Sequence, residues 1–188
     1  MGLDQYLYRS KKVKGLTAED YSKVDNTISD VPKEAFKSVR ESIKGRSKEA
    51  YSQFDEVVKE RGVYSTWLSI FEDIGYWRKA NQIHTFFVEQ CQGGIDECQL
   101  TKVSKAKLNK LMSLCKQALA LKEVYLNDGI VQGKPLEEIL PTASGFFFGG
   151  TEFNEWYFQD IEETIEIISK VLKETDFKTQ TIFYRASW

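Results

Sequence analysis

Leu140–Gly150 reads Leu-Pro-Thr-Ala-Ser-Gly-Phe-Phe-Phe-Gly-Gly and interrupts a chain that otherwise carries many helical patterns. Pro141 and the three glycines exclude a regular helix through this stretch. Three adjacent phenyl rings are costly to expose to water. We therefore expect Phe146, Phe147 and Phe148 to form a short buried strand or a buried aromatic plug. The alternative is a cluster with one open face, which receives a ligand or a partner.

The size and composition of the chain define its class. Its 188 residues are enough for one domain with its own hydrophobic core. Twelve Phe, nine Tyr and four Trp favour a fold that contains strands as well as helices. A net charge of -2 gives no general attraction for nucleic acid or for an anionic membrane. No apolar run is long enough to cross a bilayer, so we expect no membrane partner.

Charge is distributed unevenly along the chain. The segment 99–122 contains six lysines and no acidic residue, whereas the segment 151–174 contains seven acidic residues and two lysines. We interpret these charges as solvated helix faces or as faces that meet each other. The alternative is that they form separate partner surfaces, and the lysine face then leaves nucleic acid open as a partner.

The cysteine spacing and the glycine-containing segments match no metal or cofactor site, so we expect no cofactor. The three cysteines Cys91, Cys98 and Cys115 are odd in number, and no secretory leader precedes them. We therefore expect reduced thiols and a cytoplasmic location. Their spacing does not match a zinc site, so we expect no metal. Gly129–Pro135 only partly matches a phosphate-binding loop, because no Ser or Thr follows Lys134.

Apolar residues recur at helical spacing in five parts of the chain, and two segments are typical of strands. Leu3–Tyr8 and Phe177–Trp188 are the expected strands, and we expect them to pair in one sheet. The expected helices run from Pro32, with Asp30 as cap, to before Gly45; over 47–60, stopped by Gly62; over 76–91; from Ser104 to about 127; and onward from the cap Asn154.

These elements do not alternate regularly between strand and helix. The sequence therefore predicts an α+β fold, in which a small antiparallel or mixed sheet is packed by about four to five helices. We expect a single domain over residues 1–188. Within it, the polar region 9–62 is interpreted as a variable helical insertion.

One polar cluster contains the single histidine of the chain. On the helix predicted over 76–91, Arg78 neighbours Asn81, and Asn81 neighbours His84. Such a set binds a phosphate and moves protons at neutral pH. One alternative is that Arg78 and His84 make ordinary structural hydrogen bonds. Another is that they bind a ligand or a partner without turnover.

The spacing of Arg78 and His84 resembles the Arg-to-His motif of the HEPN ribonucleases. In that family an Arg and a His from two subunits meet at a dimer interface and cleave RNA without a metal. The resemblance implies that Arg78 and His84 are the candidate catalytic residues and that Asn81 is their polar helper.

A second resemblance covers nearly the whole chain. It is carried by the opening residues 1–8, by Gly75–His84, by the segment 140–157 with its three phenylalanines, and by Phe183–Trp188. Together these resemble a family of small uncharacterised proteins of tailed bacteriophages and prophages. The resemblance implies expression in the cytoplasm of an infected bacterium and supplies no catalytic residues. It also implies an accessory role, in which such a protein binds a host protein.

We therefore predict a phage accessory protein that acts without catalysis, by binding and modulating a host or viral protein in host takeover or counter-defence. The residue types that anchor interfaces predict a surface of Trp77, Arg78, Phe147, Trp156 and Tyr157. One alternative is a ribonuclease-like or nucleic-acid-binding protein that uses Arg78, Asn81 and His84. Another is a small-ligand protein in which the phenylalanine cluster forms one wall of the pocket.

Overall fold

The structure is a computed structural model that describes residues 2–24, 33–60, 70–127 and 133–188. The predictions for Asp30, Pro32 and Gly62, and for most of Gly129–Pro135, lie outside the described residues. The elements follow in the order β1 (Asp4–Lys11), α1 (Ala18–Lys23), α2 (Lys33–Arg46), α3 (Lys48–Glu60), β2 (Glu72–Arg78), α4 (Asn81–Cys91), β3 (Thr101–Val103), α5 (Lys105–Leu119), α6 (Lys122–Leu126), α7 (Leu136–Ile139), α8 (Glu155–Glu174) and β4 (Gln180–Ser187).

The four strands form one antiparallel sheet in the order β2-β1-β4-β3, so the predicted α+β class is confirmed. The first and last strands are neighbours, as expected. Five of the described helices, α2, α3, α4, α5 and α8, have between 11 and 20 residues. Within the described ranges, no helix has both the length and the apolar character that a membrane crossing requires.

The central strand β4 differs from its predicted pattern. We expected alternation along 177–183, but Ile182, Phe183 and Tyr184 are all buried in succession. A strand with a hydrogen-bonded neighbour on each side and covered faces has no solvent side to reserve for polar residues. Phe177 lies before the strand begins.

One compact unit contains Met1–Leu7, Ile74–Thr175 and Phe183–Trp188. Its helix pair α5 and α8 packs through the predicted apolar stripes, and Leu108, Leu111, Phe158 and Ile161 are fully buried. The predicted cap Asn154 is confirmed, and α5 begins directly after Ser104, as expected. The Ser104 side chain accepts a hydrogen bond at the start of α5, and the Asn154 side chain accepts two at the start of α8.

The second compact unit contains Tyr8–Asp73 and Asp176–Ile182. Helices α2 and α3 pack on each other here through buried residues, among them Phe36, Ile43 and Phe54. Gly45 lies inside the last turn of α2 and does not follow it, contrary to expectation. That the region 9–62 is a variable insertion stays a prediction.

The predicted helix over 76–91 is wrong in its first part, because strand β2 occupies Glu72–Arg78 and α4 begins only at Asn81. The chain changes direction at Lys79, whose φ is 61°. The three-residue spacing of Trp77 and Ala80 imitates a helix face, but aromatic residues are equally at home in strands. Tertiary packing decides the matter, because the Trp77 indole nitrogen donates a 2.9 Å hydrogen bond to Thr164 in α8.

Candidate functional site

Leu140–Gly150, which we call the aromatic loop, is neither a strand nor a buried plug. Phe146 is 95% exposed, and Phe147 and Phe148 are half-buried, so the expectation of core burial is wrong. The loop makes a tight turn in which the Phe148 amide donates to the Gly145 carbonyl at 3.1 Å. A turn this short directs adjacent side chains outward in different directions, and the core cannot take all three rings.

Asn81 fixes the aromatic loop from the start of α4. Its side chain is 2% exposed. Its amide nitrogen donates to the carbonyl oxygens of Phe148 at 3.2 Å and Gly150 at 2.7 Å. Its amide oxygen accepts from the backbone nitrogen of Ala143 at 3.0 Å. One buried side chain therefore holds both ends of the loop, which makes Asn81 a structural clamp.

The aromatic loop is also tied to the strands. The Leu3 amide donates to the Phe147 carbonyl at 3.0 Å, and the Lys79 amide donates to the Leu3 carbonyl at 2.7 Å. Gly149 has a φ of 90°, and a Cβ atom there would lie 3.2 Å from Lys79 Cβ. Glycine is required at this position by conformation and by the close approach of Lys79.

The predicted partner-binding residues divide into two groups. Arg78 is exposed, Trp156 is 74% exposed and Phe147 is half-buried. Trp77 and Tyr157 are 2% and 4% exposed and belong to the core. Trp77 and Tyr157 therefore cannot belong to the predicted partner-binding surface. Phe146 is the exposed aromatic residue that the sequence argument assigned to the core.

Behind the aromatic loop lies a cavity of about 290 Å³, which we call the polar cleft. Gly149 and Gly150 of the loop line one part of it, and Trp156 lines another. Four charged residues also line it. They are Arg78, Lys79, Glu152 and Asp160.

None of the four charged groups in the polar cleft forms an ion pair with any described residue. Arg78 and Lys79 come from the end of β2, whereas Glu152 and Asp160 come from the loop before α8 and from α8 itself. Groups of opposite charge therefore share one cavity without meeting.

Asp160 is the least exposed acid of the polar cleft. One of its carboxylate oxygens accepts a 3.1 Å hydrogen bond from the Gln82 side chain. Burial raises the pKa of Asp160 to about 6, the Gln82 hydrogen bond partly opposes this, and Glu163 adds to the rise. On the sequence alone, Asp160 belongs to a solvated acidic face. The spacing on α8 is the signal that was missed. Tyr157 lies three residues before Asp160 and Thr164 four residues after it, both are buried, and residues at these spacings share one helix face.

His84 lies in the core, 2% exposed, and both ring nitrogens are engaged. Nδ1 lies 2.8 Å from the Tyr184 hydroxyl, and Nε2 lies 2.9 Å from a carboxylate oxygen of Asp96. The same Asp96 oxygen accepts from the Trp188 indole nitrogen at 2.9 Å. Burial keeps Tyr184 protonated by raising its pKa strongly. The cluster fastens the end of β4 to the region after α4.

The predicted helical arrangement of Arg78, Asn81 and His84 is therefore wrong. Arg78 belongs to β2 and is exposed, Asn81 clamps the aromatic loop, and His84 is buried against Tyr184 and Asp96. No ring nitrogen of His84 is left to take a proton from a substrate. His84 therefore makes structural hydrogen bonds, which was the alternative considered for Arg78 and His84 in the sequence.

The two oppositely charged segments meet in part. Lys122 forms a 2.7 Å ion pair with Glu162 of α8, as expected for faces that pair with each other. Lys107 and Lys110 of α5 both donate to the Gln90 side-chain oxygen, at 3.2 and 2.8 Å. The lysine face is thus partly neutralised and partly solvated.

The cysteines are free thiols, and Cys115 is buried. Burial raises the pKa of Cys115 to about 12, so it is an unreactive thiol that packs as an apolar residue. Among the residues that the structure describes, no group of three or more His, Cys, Asp or Glu side chains is placed to hold a metal ion.

Comparison of this chain with protein-family models, with curated proteins and with solved structures gives no match. The aromatic loop and the polar cleft are therefore the features from which a function is inferred.

Proposed function

We propose that this protein binds another protein through the aromatic loop and acts without catalysis. The single observation that carries the proposal is Phe146, whose ring is 95% exposed on a loop that hydrogen bonds hold in place. An exposed ring on a fixed backbone loses little conformational entropy on binding. Such residues are the typical anchors of protein interfaces.

The surroundings of Phe146 support the same function. Phe147 packs edge-on against Phe146, with ring centroids 4.8 Å apart. Arg78 and the 74% exposed Trp156 line the polar cleft together with the end of the aromatic loop. Aromatic residues and arginine are the types that contribute most to binding energy at interfaces. We therefore assign Phe146, Phe147, Arg78 and Trp156 to the proposed surface.

The proposed partner is a host or viral protein in the cytoplasm of an infected bacterium, bound in host takeover or counter-defence. This part of the proposal rests on the resemblance to proteins of tailed bacteriophages and prophages. A ribonuclease function receives no comparable support, because the His84 ring is occupied by Tyr184 and Asp96.

The test is a pull-down from bacterial lysate. The proteins retained by the immobilised wild-type chain are compared with those retained by the Phe146→Ser and Ile95→Ser variants. Ile95 is a matched control, because it is also an exposed apolar residue, at 58%, and lies outside the aromatic loop. We expect at least one stoichiometric protein to be retained by wild type and by Ile95→Ser, and to be lost with Phe146→Ser. Identical retention by all three chains would overturn the proposal.

A further inference from the structure

The polar cleft contains charged side chains of both signs that form no ion pairs with other described residues. Two cations and two carboxylates line one cavity, and none of them pairs with a described residue. Ion pairs between exposed side chains contribute little to stability, so all four charged groups remain available to a ligand. A ligand that carries both a positive and a negative group can therefore pair with both kinds of side chain in this cavity.

We propose that the polar cleft binds a small zwitterion of the size of an α-amino acid. This site goes beyond the proposed protein-binding function and does not depend on it. Asp160 and Glu152 would bind the ammonium group, and Arg78 and Lys79 would bind the carboxylate. A cavity of about 290 Å³ is at the lower end of ligand pockets, which suits a small molecule.

The remaining walls favour the same ligand class. Trp156 is 74% exposed and lines the cleft, so its ring is available to an ammonium group or to an apolar side chain of the ligand. Gln82 donates to Asp160 at 3.1 Å and to the Tyr157 carbonyl at 3.5 Å, which holds the carboxylate in position. The Asp160 carboxylate is therefore oriented before the ligand arrives.

Binding should depend on pH through Asp160. The groups that act on this carboxyl are Gln82 from α4 and Glu163 on its own helix, and Arg78, Lys79 and Glu152 line the same cavity. Because the pKa of Asp160 is raised to about 6, its carboxylate is present at pH 7.5 and largely protonated at pH 5. A zwitterionic amino acid keeps both charges at these two pH values. Its affinity should therefore fall between pH 7.5 and pH 5.

The experiment records amide NMR spectra of the full chain with each of the twenty common L-amino acids at 10 mM. For any amino acid that shifts resonances of the cleft, the test is repeated with its amide, which lacks the carboxylate, and with its N-acetyl derivative, which lacks the ammonium group. Variants Asp160→Asn and Arg78→Gln test the two sides. Glu166→Gln on the exposed face of α8 is the matched control.

We expect at least one amino acid to bind, with affinity reduced tenfold or more in both derivatives and in both cleft variants, and unchanged in Glu166→Gln. Arg78 and Trp156 belong both to the polar cleft and to the proposed protein-binding surface, but Phe146 does not line the cleft. Binding of the amino acid should therefore survive in Phe146→Ser, which distinguishes failure of this proposal from failure of the protein-binding proposal. The proposal is overturned if none of the twenty shifts the cleft resonances, or if an amide or N-acetyl derivative binds as well as its parent. Retention of the amino-acid affinity by folded Asp160→Asn would overturn it equally.

Discussion

At the scale of one residue, Asp160 in the polar cleft destabilises the folded state when its carboxyl is ionised. Its carboxyl is partly buried, accepts a hydrogen bond from Gln82, and has no ion-pair partner among the described residues. The raised pKa, about 6 against an ordinary value of 3.8, means that the folded state holds the proton more tightly than the unfolded chain. Ionised Asp160 therefore destabilises the fold, and this cost develops as the pH rises from about 4 to about 6.

We predict that Asp160→Asn raises the free energy of unfolding at pH 7.5 by about 1 kcal/mol, after discounting for the partial exposure of the carboxyl. The gain should shrink at pH 4.5, where the wild-type carboxyl is protonated in the folded state. Urea unfolding at the two pH values measures this, with Glu166→Gln as the control. A variant that is no more stable than wild type at pH 7.5 would contradict the assignment.

The roles of residues that depend on their neighbours in sequence could be predicted, whereas the roles that depend on tertiary contacts could not. Asn154 could be identified as a cap, and Ser104 as the start of a helix, because both depend only on the few residues around them. The exposure of Phe146 and the burial of Asp160 depend on what the rest of the chain covers. His84 was recognised as the central polar residue, but its partners Tyr184 and Asp96 lie 100 and 12 residues away and share no local pattern with it.

At the scale of elements, strand β2 lies close to helix α8 because Gly75 has no side chain. A Cβ atom at Gly75 would lie 2.6 Å from Ile167 Cγ2 and 3.4 Å from Leu7 Cβ. Gly45, in contrast, lies inside α2 and a Cβ atom there would meet nothing within 4 Å. The same substitution should therefore have opposite effects at these two glycines.

We predict that Gly75→Ala lowers the free energy of unfolding by about 1–3 kcal/mol through overpacking. Gly45→Ala should raise it by about 0.5–1 kcal/mol, because alanine is the better helix former and restricts the unfolded chain. Urea unfolding of the two variants beside wild type measures both effects. Stabilisation by Gly75→Ala would show that β2 and α8 are not packed as described.

The aromatic loop is a second element whose position depends on one side chain. Asn81→Ala removes three hydrogen bonds and leaves the carbonyl groups of Phe148 and Gly150 without this donor. We predict a loss of about 2 kcal/mol in the free energy of unfolding. We also predict faster hydrogen exchange at the Ala143 amide, which donates to Asn81.

Thr85→Ala serves as the control for this prediction, because Thr85 lies on the same helix and bonds only to the Asn81 backbone carbonyl. Amide exchange measured by NMR should rise at least tenfold at Ala143 in Asn81→Ala and stay near the wild-type rate in Thr85→Ala. An Ala143 amide that stays equally protected in both variants would mean that the loop is held by other contacts.

The long helices were predictable as elements, whereas β2 was not. Helices α5 and α8 have continuous apolar stripes and local caps, so periodicity and capping agreed. Strand β2 has seven residues, which continue directly into a turn and a helix. The spacing of Trp77 and Ala80 fits both structures, and only the contact of Trp77 with Thr164 decides between them.

At the scale of the whole molecule, strands from the two ends of the chain are neighbours in the sheet, and the aromatic loop hydrogen-bonds to Leu3 just before β1. Composition and the spacing of apolar residues were sufficient to predict an α+β fold. The position of a loop on that fold could not be predicted, because it is set by Asn81 and Leu3, which lie 62 and 144 residues before Ala143 and Phe147.

The affinity of the protein retained from lysate, once purified, tests the central claim most directly. Isothermal titration calorimetry should give a Kd that rises at least tenfold when Phe146 is replaced by serine, which corresponds to about 1.4 kcal/mol of binding free energy. In Ile95→Ser the Kd should stay within twofold of wild type. Equal Kd values for wild type and a folded Phe146→Ser variant would show that the aromatic loop does not anchor the partner.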